Sequence, residues 1–463
     1  MDNSVKTNPL ATEKVSKLLR KFAIPSVVAM LVNSLYNIVD QIFIGQGVGY
    51  LGNAATNVIF PLVTFALAIS VMIANGCSAF MSIKFGQGRN EDAAIGFGSA
   101  FISGIAIGIV FLIALIFSFK SLLPLFGATA DVMPYAIDYG NIIIFGFPLS
   151  IVTIILENAT RADGNPRYTM IAMLCATVTN IVLDAIFVLV FHWGVQGAAI
   201  ATVISTAINL TVSSFYIPRF KNIKVTKHIF KFNFKMWKRV ITLGTSSFIT
   251  QIGGFFTQIA INNALKYYGA LSIYGSDIPL SVFGIVMKIY MIIFSIMLGV
   301  GFGQQPIAGF NYGSRDFKRV REVYKCTVTT TTIVATVGWA VLMLFPEQVI
   351  SLFGSESSLY VEFAVKCTRI FLMLIFLAGF QNNTSQFFQA IGRPIISSIL
   401  TLLRQMLIMI PLALTLPIFY GIDGMLFAGP ITDALATLIT FFFIRREMKK
   451  INLMEKQDKL KQS

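Results

Sequence analysis

Long apolar blocks separated by short polar gaps run along almost the whole chain. An α-helix rises about 1.5 Å per residue, so roughly twenty residues cross the ~30 Å hydrocarbon core of a bilayer. Twelve blocks of this kind are present, at residues 22–44, 55–80, 94–118, 133–160, 168–191, 195–216, 239–267, 279–308, 323–345, 358–388, 395–418 and 422–444. The pattern predicts an all-α integral membrane protein with twelve transmembrane helices.

Composition agrees with this prediction and limits the chemistry. Of the 463 residues, 56% are hydrophobic and 12% are charged, whereas soluble domains average roughly 45–50% apolar residues. The four cysteines are widely spaced without a CxxC pair, and His192 and His228 are far apart, so neither a zinc site nor a disulfide framework is indicated. We expect no cofactor other than a coupling ion.

The basic residues lie mainly in alternate gaps between the blocks. Lysine and arginine precede the first block and follow the second, fourth, sixth, eighth and twelfth, while the other gaps are nearly bare. Because cytoplasmic loops are enriched in these residues, both termini are predicted in the cytoplasm, in a bacterial or archaeal plasma (inner) membrane. The net charge of +15 thus reflects basic residues that set the membrane topology, and nucleic acid is not expected as a partner.

The two halves of the chain repeat each other at a nearly fixed offset. Two matches are 227 residues apart and a third is one residue further: LFG at 125–127 and 352–354, GVQG and GIDG at 194–197 and 421–424, and ADGNP and AIGRP at 162–166 and 390–394. Six helices return the chain to its starting side, so the two lobes share one topology. A pseudo-two-fold axis along the membrane normal is expected to relate them.

The repeat predicts the domain organisation. The predicted parts are an N-lobe of helices 1 to 6 (1–218), a basic linker (219–238), a C-lobe of helices 7 to 12 (239–446) and a cytoplasmic tail (447–463). Both sides of a cleft between the lobes come from one chain, so a monomer is expected. The linker interleaves lysines with aromatic residues, and it either lies on the anionic inner leaflet or simply joins the lobes.

Ionisable residues within the apolar blocks are functional candidates, because a charge near the bilayer centre costs at least ~2.5 kcal/mol. In the N-lobe, Asp40 on helix 1, Asp184 on helix 5 and Thr202 on helix 6 fall at similar depths. Asn180 precedes Asp184 by one helical turn. A polar pocket that takes up a proton or a sodium ion is predicted; in the alternative, Asp184 and Asn180 only join helices by a hydrogen bond.

Tyr36 and Asn37 lie about one turn before Asp40 and are expected to form a second tier around the pocket. Pro25 precedes them on the same helix. A proline inside a helix removes a backbone hydrogen bond and allows a bend, whereas a first-turn proline has no such effect, and both readings are open.

The charged residues of the C-lobe predict a different arrangement. Arg404 and Asp433 lie near the middle of antiparallel helices 11 and 12, so a structural ion pair is favoured over a substrate role. Other residues are candidates for a substrate cleft because methionine suits a plastic cavity and intramembrane cations need an aqueous lining. They are Met287, Lys288 and Met291 on helix 8 and Arg369 on helix 10.

Three segments together resemble one family of membrane transporters. They are YNIVD at 36–40, NIVLD at 180–184 and GVQGAA at 194–199. With twelve predicted spans in two lobes, the chain resembles the multidrug and toxic compound extrusion (MATE) family over nearly its whole length. The resemblance is greatest to its prokaryotic DinF-like and MepA-like branch.

The resemblance implies a cation site in the N-lobe formed by Asp40, Asn180, Asp184 and Thr202, with Na⁺ as a candidate ligand, and a bend of helix 1 at Pro25. Another bacterial branch has a carboxylate site on C-lobe helices, and helices 7 and 8 carry no obvious equivalent here. The resemblance to the MATE family also implies efflux of small cationic or amphiphilic drugs across the membrane lipid by antiport with H⁺ or Na⁺.

Two other functions are alternatives to drug antiport. A flippase for a lipid-linked saccharide is the alternative, and it calls for a strongly cationic cleft. A membrane-embedded enzyme is not expected, because the chain has no HExxH motif, nucleophile elbow or phosphate-binding loop.

Overall fold

The computed structural model of the protein describes residues 8–351 and 358–460, and within these residues all regular structure is helical. Twelve long helices follow a short N-terminal turn. The first six are α1 (Val15–Val48), α2 (Tyr50–Gly86), α3 (Asn90–Leu122), α4 (Met133–Ile143 and Gly146–Ala162), α5 (Pro166–Asp184, continued by a π-helical segment, Ala185–Val190) and α6 (Gly194–Ser214).

The second six helices repeat this arrangement. They are α7 (Phe234–Ala270), α8 (Asp277–Gly313), α9 (Phe317–Leu344), α10 (Ser358–Phe371 and Ile375–Ala390), α11 (Pro394–Leu402, continued by a π-helical segment, Leu403–Ile408) and α12. The chain from Met409 to Leu460 is helical except at Gly421, where non-helical backbone separates the end of α11 from α12.

The helices have the length and composition of membrane spans. Eight described helices are each long and apolar enough to cross a bilayer, and the two halves of α4 and of α10, bent by 48° and 49°, form two further spans. α7 adds one span, and the break at Gly421 divides the last of the eight helices into α11 and α12. The total is therefore the predicted twelve. The helices extend several residues beyond the apolar blocks because polar residues continue them past the hydrophobic core, most of all in α12, which remains helical to Leu460.

The backbone confirms the internal repeat. Positive φ angles recur at matching places in the two lobes, at Gly164 (101°) and Gly392 (77°), at Gly194 (59°) and Gly421 (57°), and at Gly88 (72°) and Arg315 (64°). The bends of α4 and α10 also correspond. The predicted match between 125–127 and 352–354 involves residues outside the described ranges.

The two lobes meet most closely toward one end of the molecule, which we call the basic end because it carries the loops at 84–89, 161–167 and 315–321. Gly76 on α2 packs against the backbone of Val240 on α7, and Gly244 on α7 packs against the backbone of Met72. Small residues at such crossings let the helix backbones come close together. Van der Waals packing can then hold the helices together in lipid, where the hydrophobic effect does not act between them. Toward the far end, the same helices pack within their own lobes.

A second crossing joins α1 to α8. Gly299 on α8 lies against the backbone of Val27, and Ser34 and Ser295 are hydrogen-bonded at 2.5 Å. Pro25 is buried ten residues inside α1, which continues unbroken from Val15 to Val48, so the first-turn interpretation of this proline is wrong. Whether α1 bends there during function stays a prediction.

Polar contacts fasten the segments outside the membrane to the basic end. The buried carboxylate of Asp163 accepts hydrogen bonds from the backbone N–H groups of Lys221 and Asn222 and from the Tyr216 hydroxyl, at 2.8 to 2.9 Å. The linker therefore docks on the N-lobe through its own backbone. It contains only short 3₁₀ turns before α7 begins at Phe234, not a continuous amphipathic helix.

The closeness of the lobes at Gly244 can be tested by adding one methyl group. In Gly244→Ala the new Cβ would clash with the Met72 carbonyl, so we expect a loss of about 1–3 kcal/mol of stability through overpacking. The matched control is Gly254→Ala on the same helix, where the nearest neighbouring atom is 3.8 Å from the added Cβ.

Thermal unfolding in detergent should lower the melting temperature of Gly244→Ala and leave Gly254→Ala unchanged or slightly stabilised, since alanine favours helices by ~1 kcal/mol over glycine. Equal melting temperatures for the two variants would contradict the close crossing.

Candidate functional site

Two buried carboxyl groups lie side by side within the N-lobe. Asp40 comes from α1 and is 9% exposed, and Asp184 comes from the end of the α-helical part of α5 and is fully buried. Their carboxyl groups are close enough to interact with each other, and the Oδ1 atom of each has no protein partner. Two adjacent carboxylates repel when both are ionised, so this pair is suited to hold a proton or a cation.

Neutral polar groups complete the pocket. With its amide oriented to suit the surrounding donors and acceptors, Asn180 donates to Asp184 Oδ2 at 2.8 Å and accepts from the Thr202 backbone N–H at 3.3 Å. Tyr36 and Thr202 line the same small cavity as Asn180. The structure thus brings together Asp40, Asn180, Asp184 and Thr202.

Asn37 and Tyr139 differ from the expectation for the pocket. Asn37 is exposed and its side chain donates to the backbone oxygen of Asn33 at 2.7 Å, so it does not face the carboxylates. Tyr139 on α4 is buried beside Asp40 and Asp184, which the spacing along the chain did not indicate. A π-helical segment starts directly after Asp184, and such segments often occur at functional sites.

The donor set of the pocket consists of oxygen atoms. Among the described residues no group of three or more His, Cys, Asp or Glu side chains is placed to hold a metal ion. Carboxylate, amide and hydroxyl oxygens are hard ligands that suit alkali or alkaline-earth cations better than transition metals. The residues present are therefore compatible with Na⁺ as well as with a proton.

Asn180 and Thr202, neutral members of this pocket, line a small cavity of about 110 Å³ that borders a larger one of about 440 Å³ between the lobes. Four residues line both of them: Asn33, Met173, Thr206 and Asn209. The larger cavity, which we call the central cavity, has walls from both lobes and lies in the range of volume typical of small-molecule sites. The candidate cation site and the space between the lobes are thus neighbours.

The residues expected to form the substrate cleft do not line the central cavity. Lys288, Met291 and Arg369 are exposed and Met287 is half-buried, and none of the four is among the lining residues. Periodicity alone could not show which face of α8 or α10 they occupy. Their role in substrate binding stays a prediction that this cavity does not support.

The ion pair expected in the C-lobe is present. Arg404 Nε lies 3.0 Å from Asp433 Oδ1, and Arg404 also lines the central cavity. Asp433 is 9% exposed, so its charge is neutralised inside the protein by a partner on the neighbouring helix. The cationic charge of Arg404 is correspondingly offset at the cavity wall.

Two further charged residues in the central cavity were not expected. Glu157 and Arg161 lie one turn apart on α4, each is 6% exposed, and both line the cavity. Arg161 directly follows the apolar block at 133–160, so the sequence pattern predicts it among the loop charges that set the topology. The helix continues to Ala162, however, and Arg161 packs against the ring of Phe302 in the other lobe.

The chain matches the MatE family model over two segments, residues 25–186 and 252–415, which together make up more than half of it. It belongs to the MATE family of efflux transporters. The two matched segments correspond to the two lobes. As a member of this transporter family, the protein is a multi-pass membrane transporter and not an enzyme.

Individual relatives cover almost the whole chain. The multidrug export protein MepA of Staphylococcus aureus (strain MRSA252) is 25% identical over 435 residues, 93% of each chain. MepA of Staphylococcus saprophyticus is 23% identical over 461 residues, which cover 95% of this chain and 97% of its own.

Solved MATE structures share the fold. The crystal structure of a MATE transporter in complex with MaL6 has a TM-score of 0.90 at 23% identity, covering 98% of this chain and all of that one (100%). A MOP superfamily transporter from Pyrococcus furiosus, described by a reversed polarity of its binding pocket, also has a TM-score of 0.90 at 23% identity, with 98% and 99% covered.

The buried ion pair of the C-lobe makes a specific prediction about stability. Arg404→Gln leaves the carboxylate of Asp433 buried without its partner, so we expect a loss of about 3–5 kcal/mol. The double variant Arg404→Met/Asp433→Leu removes both charges and should recover most of that loss. Melting temperatures in detergent for the single and double variants give the comparison.

If the losses of Arg404→Met and Asp433→Leu, each measured as a single variant, simply add in the double variant, the two charges do not stabilise each other. That result would contradict the ion pair as a structural element of the cavity wall.

Proposed function

We propose that the protein exports small cationic or amphiphilic drugs in exchange for H⁺ or Na⁺, with Asp40 and Asp184 as the coupling residues. The observation that carries the proposal is the pair of neighbouring carboxyl groups, each with a buried oxygen that has no partner. Asn180 and Thr202 beside them line a small cavity that borders the central cavity. The curated relatives at 23–25% identity are multidrug export proteins, which supports drug export as the transport activity.

The basic end faces the cytoplasm in this proposal, with both termini on that side of a prokaryotic plasma membrane. Support comes from the alternation of basic and nearly bare loops along the chain. In the proposed orientation, lobes that are joined at the basic end and pack separately at the far end would be open to the outside. One chain supplies both lobes, and the transporter acts as a monomer.

Coupling follows from a difference in affinity between two states. A cation that binds Asp40 and Asp184 neutralises the repulsion between them and changes the contacts of α1, which also forms the crossing with α8 through Val27 and Ser34. Movement of α1, with Pro25 as its hinge, then alters the wall of the central cavity and releases the drug. The cation and the drug must each favour a different state for exchange to occur.

The lining of the central cavity favours drug export over flipping of a lipid-linked saccharide. A polyanionic lipid diphosphate requires several free cationic groups. Only Arg161 and Arg404 are cationic among the lining residues, and Arg404 is paired with Asp433.

The proposal is tested by ethidium efflux from drug-sensitive cells and from vesicles with imposed proton or sodium gradients. Asp40→Asn and Asp184→Asn should each abolish gradient-driven efflux, because an amide cannot exchange a proton or offer a full negative charge to Na⁺. Asp131→Asn, a change at an exposed aspartate, is the matched control and should retain wild-type efflux.

The gradient that drives efflux identifies the ion. Full efflux in both Asp40→Asn and Asp184→Asn would refute coupling through this pocket, and absence of efflux from wild type under either gradient would refute drug antiport.

A further inference from the structure

The junction between the linker and α7 carries exposed aromatic and basic side chains on the outside of the protein. Phe232 and Phe234 are 49% and 64% exposed, and their rings pack on Trp237 with centroid distances of 5.9 and 5.6 Å. The surface, which we call the junction patch, consists of these two phenylalanines and four exposed cations: Lys231, Lys235, Lys238 and Arg239. Clustered exposed rings mark a surface that contacts something other than water.

The four cations of the junction patch have no acidic partner. No aspartate or glutamate occurs between Asp184 and Asp277, and none of the four cations is in an ion pair within the described residues. Other basic side chains at this end of the molecule are paired inside the protein, as Lys84 is with Asp92 at 3.0 Å. The patch therefore presents a positive charge that the protein does not compensate.

The backbone beneath the junction patch is fixed to the N-lobe. The Asn233 backbone N–H donates to Ser99 Oγ on α3 at 3.0 Å, and the Asn233 side-chain oxygen caps α7 by accepting from the Met236 N–H at 3.0 Å. Ile229 is buried, and its carbonyl packs against Gly98. The basic and aromatic side chains are thus held on the outer face of a docked segment, not on a free tether.

The position of the junction patch along α7 corresponds to the depth of lipid headgroups. α7 begins at Phe234, five residues before its apolar block starts at 239, and five residues rise about 7.5 Å along a helix. The headgroup region on each side of the hydrocarbon core is roughly 5–8 Å deep. Lys235 and Lys238 then fall among the headgroups, and aromatic rings are enriched in this layer.

We propose that the junction patch binds the headgroups of anionic phospholipids in the leaflet at the basic end. Lipid phosphate oxygens accept hydrogen bonds from the lysine and arginine groups, while Phe232 and Phe234 enter the layer between the headgroups and the acyl chains. A zwitterionic lipid covers the rings without a net charge, whereas an anionic lipid satisfies the rings and the cations together. The inference goes beyond drug export and does not depend on it.

Trp237 provides a reporter inside the junction patch. The chain has three tryptophans, so in Trp193→Phe/Trp339→Phe the fluorescence comes from Trp237 alone. This full-length protein is reconstituted in phosphatidylcholine bilayers containing phosphatidylglycerol or phosphatidylcholine that is brominated near the headgroup end of its acyl chains. Bromine quenches a tryptophan that it contacts, so quenching against the fraction of brominated lipid gives the relative affinity of the two lipids.

Phosphatidylglycerol should bind beside Trp237 about fivefold or more tightly than phosphatidylcholine, which corresponds to ~1 kcal/mol. With Lys231→Gln/Lys235→Gln/Lys238→Gln added, the ratio should fall below about twofold, because one cation of the patch is left. High salt should also lower the ratio in the protein with all three lysines, since salt screens exposed charges.

Two controls separate the junction patch from basic residues in general. Arg445→Gln/Arg446→Gln/Lys449→Gln removes three exposed cations at the basic end of α12 and should leave the ratio at Trp237 unchanged. In Trp237→Phe/Trp339→Phe the reporter is Trp193, which precedes α6 at the far end and should show no preference between the two lipids.

Equal quenching of Trp237 by the two brominated lipids would refute the anionic lipid site, as would a ratio that neither salt nor the three lysine changes lower. Drug export would stand in each case. Nucleic acid is the rival partner of a basic aromatic surface. If a single-stranded oligonucleotide displaced phosphatidylglycerol from Trp237 and the three lysine changes weakened its binding, the patch would be a nucleic-acid surface and the lipid assignment would be wrong.

Discussion

A bilayer offers no hydrogen-bond partners, so every polar group in the membrane-spanning part must be satisfied inside the protein or within a cavity. The structure answers this constraint in two ways. Arg404 and Asp433 pair across neighbouring helices, and Asn75 on α2 donates to Ser247 on α7 at 2.9 Å, which joins the lobes by a hydrogen bond. Among the buried polar side-chain atoms without a partner in the described residues are those of Asp40 and Asp184 in the carboxylate pocket and of Asn75 at the central cavity.

Close contact between the lobes depends on the same constraint. Burial from water supplies little attraction between helices that already lie in lipid, so the lobes rely on packing and hydrogen bonds. Gly76 and Gly244 bring α2 and α7 into backbone contact, and Gln305 on α8 donates to the backbone oxygen of Asn75 at 3.1 Å. A shared apolar cluster at the basic end, which includes Met81 of α2, Val240 of α7 and Phe310 of α8, adds to these contacts.

Much of the fold could be predicted from sequence, because the bilayer sets the length of each transmembrane helix and favours positive charge in alternate loops. The N-lobe pocket was also accessible, since Asp40 and Asp184 are acidic residues in apolar surroundings, and depth follows from counting along a helix. Helix faces and interlobe distances were not accessible. For that reason the sequence pattern predicts Lys288 and Arg369 in the cleft and Arg161, at the end of an apolar block, in a loop, whereas only Arg161 lines the central cavity.

Asn209 connects the two polar sites. Its side chain donates to Glu157 in the central cavity, and it also lines the small cavity that leads to Asn180 and Thr202. All of these residues belong to the N-lobe. Under the proposed function, a cation at the carboxylates of α1 and α5 and a drug in the central cavity would both act on N-lobe helices. A shift of those helices by either ligand would change the site of the other, and linkage requires the effect to be reciprocal. The same shift would reach the C-lobe through the crossing of α1 with α8.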